Sequence, residues 1–437
     1  MRTVLAVVLT LISAATVAAE VLPVDPDTAV ELVLAASHRR AAASARVVAA
    51  GRRVVAADAR RWPTIDLEAS VGHRNSVPEV AFPASIPDIG GFVLFPDIRD
   101  TYRTGLAVSQ PLWTGGAIAG SREAARHEEE ATTADAARVD DELRLQARVA
   151  YWNAVAADAA LDAARTEVER AERLLADARS LREAGLAVRA DELGAEARLA
   201  AARVRVIASE AESSNRRAEL RSLLDVDPGT ELELSEPGTR LPVAPPELEL
   251  LVAQARTSRP ELLALEAQCE ALTSRSRTAA ASKLPQVSLG ARWDLARPNE
   301  RFLPLEDVWN TSWSMGVFAG WRIFDGDRAD TEVAVLDAER EAVQSELAEL
   351  ERRVALDVET ARNSLLAARA ADSAAEAAVA AATAREADSR DRYAAGIATV
   401  SEVLEAQTEL SGAELELVRA RSGAWLADAG LRRAVGQ

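Results

Sequence analysis

Cysteine, lysine, histidine and aromatic side chains are all scarce in this 437-residue sequence: one cysteine, three histidines, 4% aromatics, and Lys283 as its single lysine. Each scarcity excludes something. With Cys269 alone, no intrachain disulfide can form. His38, His73 and His127 are scattered without ligand spacing, so no metal centre is expected. No nucleophile–base pair, glycine-rich phosphate loop or paired catalytic carboxylates stand out, so neither an enzyme nor a bound cofactor is expected. The net charge of −18 argues against a nucleic-acid partner, because phosphate binding needs a basic surface. Beyond the N-terminus no run reaches the ~18 apolar residues of a spanning helix, so no helical anchor is expected.

What is present is alanine, leucine, glutamate and arginine in long stretches with few prolines or glycines. Length alone would fit two or three ordinary domains, but this composition describes long helices packed through small side chains. The start, "MRTVLAVVLTLISAATVAAEVLP", has Arg2, an apolar stretch from Val4, and small residues at Val17 and Ala19. It reads as a signal peptide over residues 1–19, with cleavage after Ala19. No cysteine follows to take a lipid.

The chain repeats itself. Gly396 follows Gly185 by 211 residues, and Phe324 in "GWRIFDGD" follows Trp113 in "SQPLWTGG" by 211 as well. Pro285 in "SKLPQVSLGARW" follows Pro63 in "RRWPTIDLEASVG" by 222. The plan is a tandem duplication: a first repeat over 20–224, a proline- and glycine-rich connector over 225–246, and a second repeat over 247–437.

Each repeat opens with a helix of about 35 residues, Asp27 to Arg61 and Glu247 to Lys283, with Asp27 as N-cap. Pro260 either kinks the second copy or starts it. Alternating stretches follow, at about 64–73, 101–110, 286–295 and 309–322. In the first, Ile65, Leu67, Ala69 and Val71 oppose Asp66, Glu68 and Ser70; in the last, Trp309, Thr311, Trp313, Met315 and Val317 oppose Asn310, Ser312, Ser314 and Gly316. Period two marks strands, and tryptophan-bearing amphipathic strands of this length in an exported chain suit a membrane barrel. The connector holds at most a short strand or turn.

"TGG" and "DGD" then turn the chain into two very long helices, about 117–184 and 328–395, on the order of 100 Å each at ~1.5 Å per residue. Val343, Leu347, Leu350, Val354, Val358, Ala361 and Leu365 form an 11-residue repeat that predicts a nearly straight or slightly right-handed supercoil. The glycines at 185 and 396 reverse the chain into shorter returning helices. Four strands enclose nothing, and an open edge in lipid leaves N–H and C=O groups unpaired. Two copies would give eight strands, three would give twelve and leave room for a passage.

These residues resemble the trimeric outer-membrane efflux channels of the TolC type, over essentially the whole mature chain. The resemblance rests on the duplication, the strand openings at Pro63 and Pro285, "PLWTGG" with "RIFDGD", and the paired turns "REAGLAVRADELGAEARLA" and "YAAGIATVSEVLEAQTEL". Two departures are "SHRR" at Ser37–Arg40, where the family has an Asn-Pro pair, and Gly194 where the second repeat has Glu405. The resemblance implies a mainly α fold with a membrane β-barrel: a homotrimer with a 12-stranded barrel in outer-membrane lipid and a periplasmic α-helical tunnel. It also implies docking to a periplasmic membrane-fusion adaptor and an inner-membrane pump of RND or ABC type. In that frame Pro63, Trp113, Gly116, Pro285, Phe324 and Gly326 mark barrel-to-helix transitions, and Gly185 and Gly396 are hairpin turns at the periplasmic mouth, where the adaptor docks.

Asp191 and Glu402 each stand six residues after a turn glycine, and Glu405 one helical turn later. Acids at a helix start favour the macrodipole and face water; in a threefold assembly the same positions become rings that attract cations at the aperture. Tyr393 is either a packing aromatic or a hydrogen-bond donor across the mouth to an acid such as Asp191. Two other functions compete with an efflux exit duct. One is a type I protein-secretion duct. The other is a periplasmic coiled-coil adaptor, disfavoured by two hairpins and four membrane-type strands.

Overall fold

The computed structural model describes residues 21–82, 92–235 and 240–437. The segment read as a signal peptide, 1–19, lies outside the described residues, as do residues 236–239 of the connector. The first half runs β1 (Val21–Val24), α1 (Pro26–Ala36), α2 (His38–Ala59), β2 (Thr64–His73), β3 (Val80–Phe82), β4 (Phe92–Phe95), β5 (Asp100–Trp113), α3 (Ala117–Glu183) and α4 (Arg189–Leu224). After β6 (Glu231–Leu234) come α5 (Leu248–Ser258), α6 (Pro260–Ala281), β7 (Gln286–Arg297), β8 (Asn310–Gly320), α7 (Arg328–Ala394) and α8 (Val400–Ala434). Two compact units result. One combines the chain up to Ala43 with Ala136–Pro260 and Glu351–Gln437; the other combines Ser44–Asp135 with Glu261–Leu350.

The opening helix of each repeat is interrupted, contrary to the single helix expected over Asp27–Arg61. Ser37 leaves the α region (φ −67°, ψ 115°), and Arg259, 222 residues later, does the same (φ −67°, ψ 118°). Pro260 forces the second break, since the residue before a proline is driven out of the α region. In the first repeat the Ser37 hydroxyl accepts the Arg40 N–H at 3.3 Å and restarts the helix as a cap. The cap of α1 is Asp25, not Asp27: its Oδ1 accepts the N–H groups of Asp27 (3.0 Å) and Thr28 (2.7 Å), with Pro26 in the first turn. The Thr28 N–H is the main reason the Asp25 carboxyl is held below the usual carboxylate range.

In the second unit, one antiparallel sheet has the order β2-β5-β7-β8. The registers put Leu67, Leu106, Trp293 and Trp313 in one row across all four strands, and Ile65, Val108, Ala291 and Met315 in the next. This apolar face is open: Leu67 is 74% exposed and Trp313 72%. The other face carries Glu68, Gly105, Asp294 and Ser312. There Arg292 bridges Glu68 (2.6 Å) and Asp294 (3.0 Å), and a side chain at Gly105 would strike Asp294 Oδ1 at 2.7 Å. β5 continues to Trp113 through a register shift at Pro111, where a missing N–H is tolerated. β8 stops at Gly320; beyond it, Trp321 Nε1 donates to the Lys283 carbonyl at 2.9 Å. The short hairpin β3–β4 has no counterpart in the sequence reading.

The other unit has a core of Val24, Val33, Leu143, Tyr151, Leu220 and Leu232. β1 and β6 pair in parallel beside it, from Val21 with Glu231 to Val24 with Leu234. The fully buried Tyr151 ties this pair to α3: its hydroxyl donates to the Ser235 carbonyl at 2.7 Å and lies 3.3 Å from the Val24 carbonyl. Along α7, Val343, Val354, Val358 and Leu365 are buried and the rest of their stripe half-buried, so the 11-residue pattern marks the inward face.

Tyr151→Phe leaves buried carbonyls without their donor and is expected to cost about 1–3 kcal/mol. Limited proteolysis of the purified protein should then cut earlier around Ser235. An unchanged cleavage rate would mean that packing, and not the hydroxyl, holds the β1–β6 pair.

Candidate functional site

The two glycine turns have one geometry. Gly185 and Gly396 adopt φ 75° and 74°, the left-handed region that glycine enters without a Cβ penalty. The N–H of Leu186 reaches back to the Leu181 carbonyl (2.9 Å), and that of Ile397 to the Arg392 carbonyl (2.8 Å). These are the six-to-one bonds that close a Schellman motif. Leu186 and Ile397, 71% and 72% exposed, are thereby pushed out at the tips.

Past each turn an acid caps the returning helix. Asp191 Oδ2 accepts the Val188 N–H at 3.1 Å, and Glu402 Oε1 accepts the Thr399 N–H at 3.3 Å while the Thr399 hydroxyl takes the Glu402 N–H. The second is a complete capping box; the first lacks a side-chain acceptor, because Val188 stands where Thr399 does. In the second hairpin Glu402 and Glu405 are also partnered by arginine. Arg392 lies 3.6 Å from Glu402, and Arg385 lies 3.8 Å from Glu405 while also bonding Glu409. In the first hairpin Arg179 and Arg182 hold Glu192 at 3.1 and 2.8 Å.

Sequence reading missed these arginines, yet their signal is simple. In an antiparallel hairpin, residues equidistant from the turn face each other. Arg392 and Glu402 stand five residues either side of Ile397, and Arg385 and Glu409 twelve either side. Deeper in the unit, Arg170 of α3 grips Glu414 of α8 through two bonds of 2.8 and 2.5 Å, and Glu167 takes Arg198 at 2.8 Å. The first pair joins helices far apart in sequence and the second is not at mirror positions about its turn, so spacing announces neither.

Tyr393 packs into the cluster of Leu174, Ala178, Ala195, Leu199, Val400 and Val403, from all four long helices. It is 4% exposed, and its hydroxyl is buried without a hydrogen-bond partner among the described residues. Of the two readings of Tyr393, the packing one describes its place within the protomer, where no bond to Asp191 is made. Burial, reinforced by the charges of Asp191 and Asp177, pushes the phenol above its ordinary value, so it stays neutral.

At the other candidate positions, in the unit holding the strands, Pro63 and Pro285 immediately precede β2 and β7. After β5, Gly115 and Gly116 take φ 62° and 93°; Gly326 and Asp327, 211 residues on, take 71° and 62°. Thr114 and Asp325 occupy equivalent cap positions: the Thr114 hydroxyl accepts the Ile118 N–H (3.4 Å) and Asp325 those of Arg328 (3.2 Å) and Ala329 (3.1 Å). Trp113 and Phe324 point outward, the latter 81% exposed.

Removing an unpartnered buried hydroxyl costs nothing, so Tyr393→Phe is expected to leave thermal stability unchanged. Tyr393→Ala opens a cavity and is expected to cost about 3–5 kcal/mol. If the two variants melted equally early, the hydroxyl would have a partner in the assembled protein.

The family model described as outer membrane efflux protein matches residues 29–225 and 251–437. Protein CyaE of Bordetella pertussis is 29% identical over 336 residues, 72% of this chain and 68% of that protein. The fold is that of solved outer-membrane channels. The outer membrane protein VceC of Vibrio cholerae superposes with a TM-score of 0.76 at 19% identity, over 94% of this chain and 96% of that one. The open state of the MtrE channel of Neisseria gonorrhoeae gives 0.75 at 16% identity, over 94% and 88%. The glycine-turned hairpins and the four amphipathic strands thus sit in a known architecture, and the chain belongs to the outer membrane efflux protein family.

Proposed function

We propose that three copies of this chain form an exit duct in the outer membrane, passively conducting solutes delivered by a periplasmic membrane-fusion adaptor and an inner-membrane pump of RND or ABC type. One observation carries this reading: a four-stranded sheet with an exposed apolar face and two edges, β2 and β8, without a neighbouring strand among the described residues. In lipid each unpaired edge group costs several kcal/mol, and closure removes all of them. Joining β8 of one copy to β2 of the next gives three times four strands, a barrel wide enough for a passage where eight strands would be filled by side chains. The polar face, with Glu68, Arg292 and Asp294, then lines the bore, and the row of Trp293 and Trp313 faces lipid.

In this assembly the six glycine turns form the periplasmic end. Leu186 and Ile397 are the contacts offered to the adaptor, and Asp191, Glu402 and Glu405 ring the aperture. Arg385 and Arg392 beside the acids lower the net charge of that ring, so cation preference depends on the balance between the two residue types.

The reading is tested at the turns and by assembly. A Cβ added at Gly185 or Gly396 meets no neighbouring atom within 4 Å, so the first cost of valine there is conformational. It exceeds the ~1 kcal/mol of alanine at such a site. The detergent-solubilised variant should remain a trimer while adaptor binding and efflux complementation fall. A monodisperse detergent-free monomer, or wild-type complementation by the double variant, would overturn the duct or its docking end respectively.

At the aperture, Glu402→Gln with Glu405→Gln should lower cation selectivity in planar bilayers, and Arg385→Gln with Arg392→Gln should raise it. Opposite shifts locate the ring in the conducting path; no shift in either leaves these residues as helix caps and surface pairs.

A further inference from the structure

The unit holding the sheet contains a groove of 760 Å3 into which α2, α3, α6 and α7 all send side chains. Five arginines line it, Arg53, Arg60, Arg275, Arg322 and Arg328, against three carboxylates, Glu128, Asp325 and Glu332. Two of those carboxylates are already engaged. Glu128 is held by Arg275, and Asp325 accepts the first N–H groups of α7. Arg60 reaches the Ser121 hydroxyl at 3.4 Å. The side chains of Arg53, Arg322 and Arg328 make no hydrogen bond or ion pair among the described residues.

A cationic surplus of this kind is unexpected in a chain of net charge −18, where arginines such as Arg179 and Arg216 each hold two glutamates. Ala57, Ala124 and Ala329 also line the groove and are buried, and side chains this small leave its volume unfilled. Arginine presents a planar fork of N–H donors that matches the oxygens of phosphate two at a time.

We propose that this groove is a binding site for a phosphate-bearing anion, held by Arg53, Arg322 and Arg328. Two sources supply that chemistry: a solute in the stream through the protein, or the headgroup of a phospholipid beside the exposed Trp321 and Ile323, which flank Arg322. All of the lining residues come from one chain.

The full-length protein in a maltoside detergent, at low salt, is titrated calorimetrically with tripolyphosphate. Saturable binding is expected, weakened about tenfold or more by the combined variant Arg53→Gln, Arg322→Gln, Arg328→Gln, since each charged hydrogen bond lost is worth about a factor of ten. The charge-matched variant Arg46→Gln, Arg52→Gln, Arg277→Gln removes exposed arginines of α2 and α6 outside the groove and should bind as wild type. Where the groove triple does not assemble, Arg322→Gln alone, outside helix and strand, takes its place. Absence of binding, or equal loss in both triples, overturns the proposal in favour of net charge. Phosphorus extracted from the purified protein separates the sources: phospholipid retained by wild type and lost from the groove variant identifies the headgroup, equal content identifies the free anion.

Discussion

A strand placed in lipid must have both its edges paired, and the sheet β2-β5-β7-β8 has two edges, β2 and β8, unmet among the described residues. Hydrogen-bond satisfaction of the backbone is therefore the constraint from which the rest follows. Water satisfies such groups on the surface of a soluble sheet; lipid does not. The open row of Leu67, Leu106, Trp293 and Trp313 would be a liability in water, and in a closed barrel it is the face that lipid solvates.

The duplication has kept backbone geometry and let side-chain chemistry drift. The helix breaks at Ser37 and Arg259 and the turn glycines at both tips match to within a few degrees, and the left-handed pairs after β5 and before α7 and the six-to-one bonds recur at the same places. The residues producing them differ. A serine cap stands in for a proline, Asp327 for a second glycine, and a valine for the threonine of the capping box. Charge has diverged most, so that Arg170 in the first hairpin finds Glu414 in the second. Such an asymmetric pair fixes which hairpin lies beside which, since two identical repeats would pack interchangeably.

Much of this was legible in the sequence because local rules decide it. Strand alternation, positive-φ glycines and the 11-residue stripe each depend on neighbours within a few residues, and they pointed to the right elements. The continuous helix over Asp27–Arg61 was misread because a serine cap inside an alanine-rich run looks like any other helical serine. The parallel pair β1–β6 escaped for another reason: four-residue strands joined across more than 200 positions carry no periodicity. At the second tip Glu402 and Glu405 were singled out but not the arginines beside them, since attention to spacing after the glycine ignored the mirror positions before it. The buried Tyr393 hydroxyl shows the same limit, as its burial is decided by four helices at once.

The parallel pair also dictates an order of events. Val21–Val24 leaves the ribosome early, but its partner Glu231–Leu234 follows only after the long helix and its return have been made. Until then β1 has no ladder, and the Tyr151 hydroxyl has no Ser235 carbonyl to bond. The core around Val24, Leu143 and Leu220 therefore cannot close on a nascent first repeat. High sequence separation of this kind slows folding, and here it leaves the core of the leading half open until the connector has been synthesised.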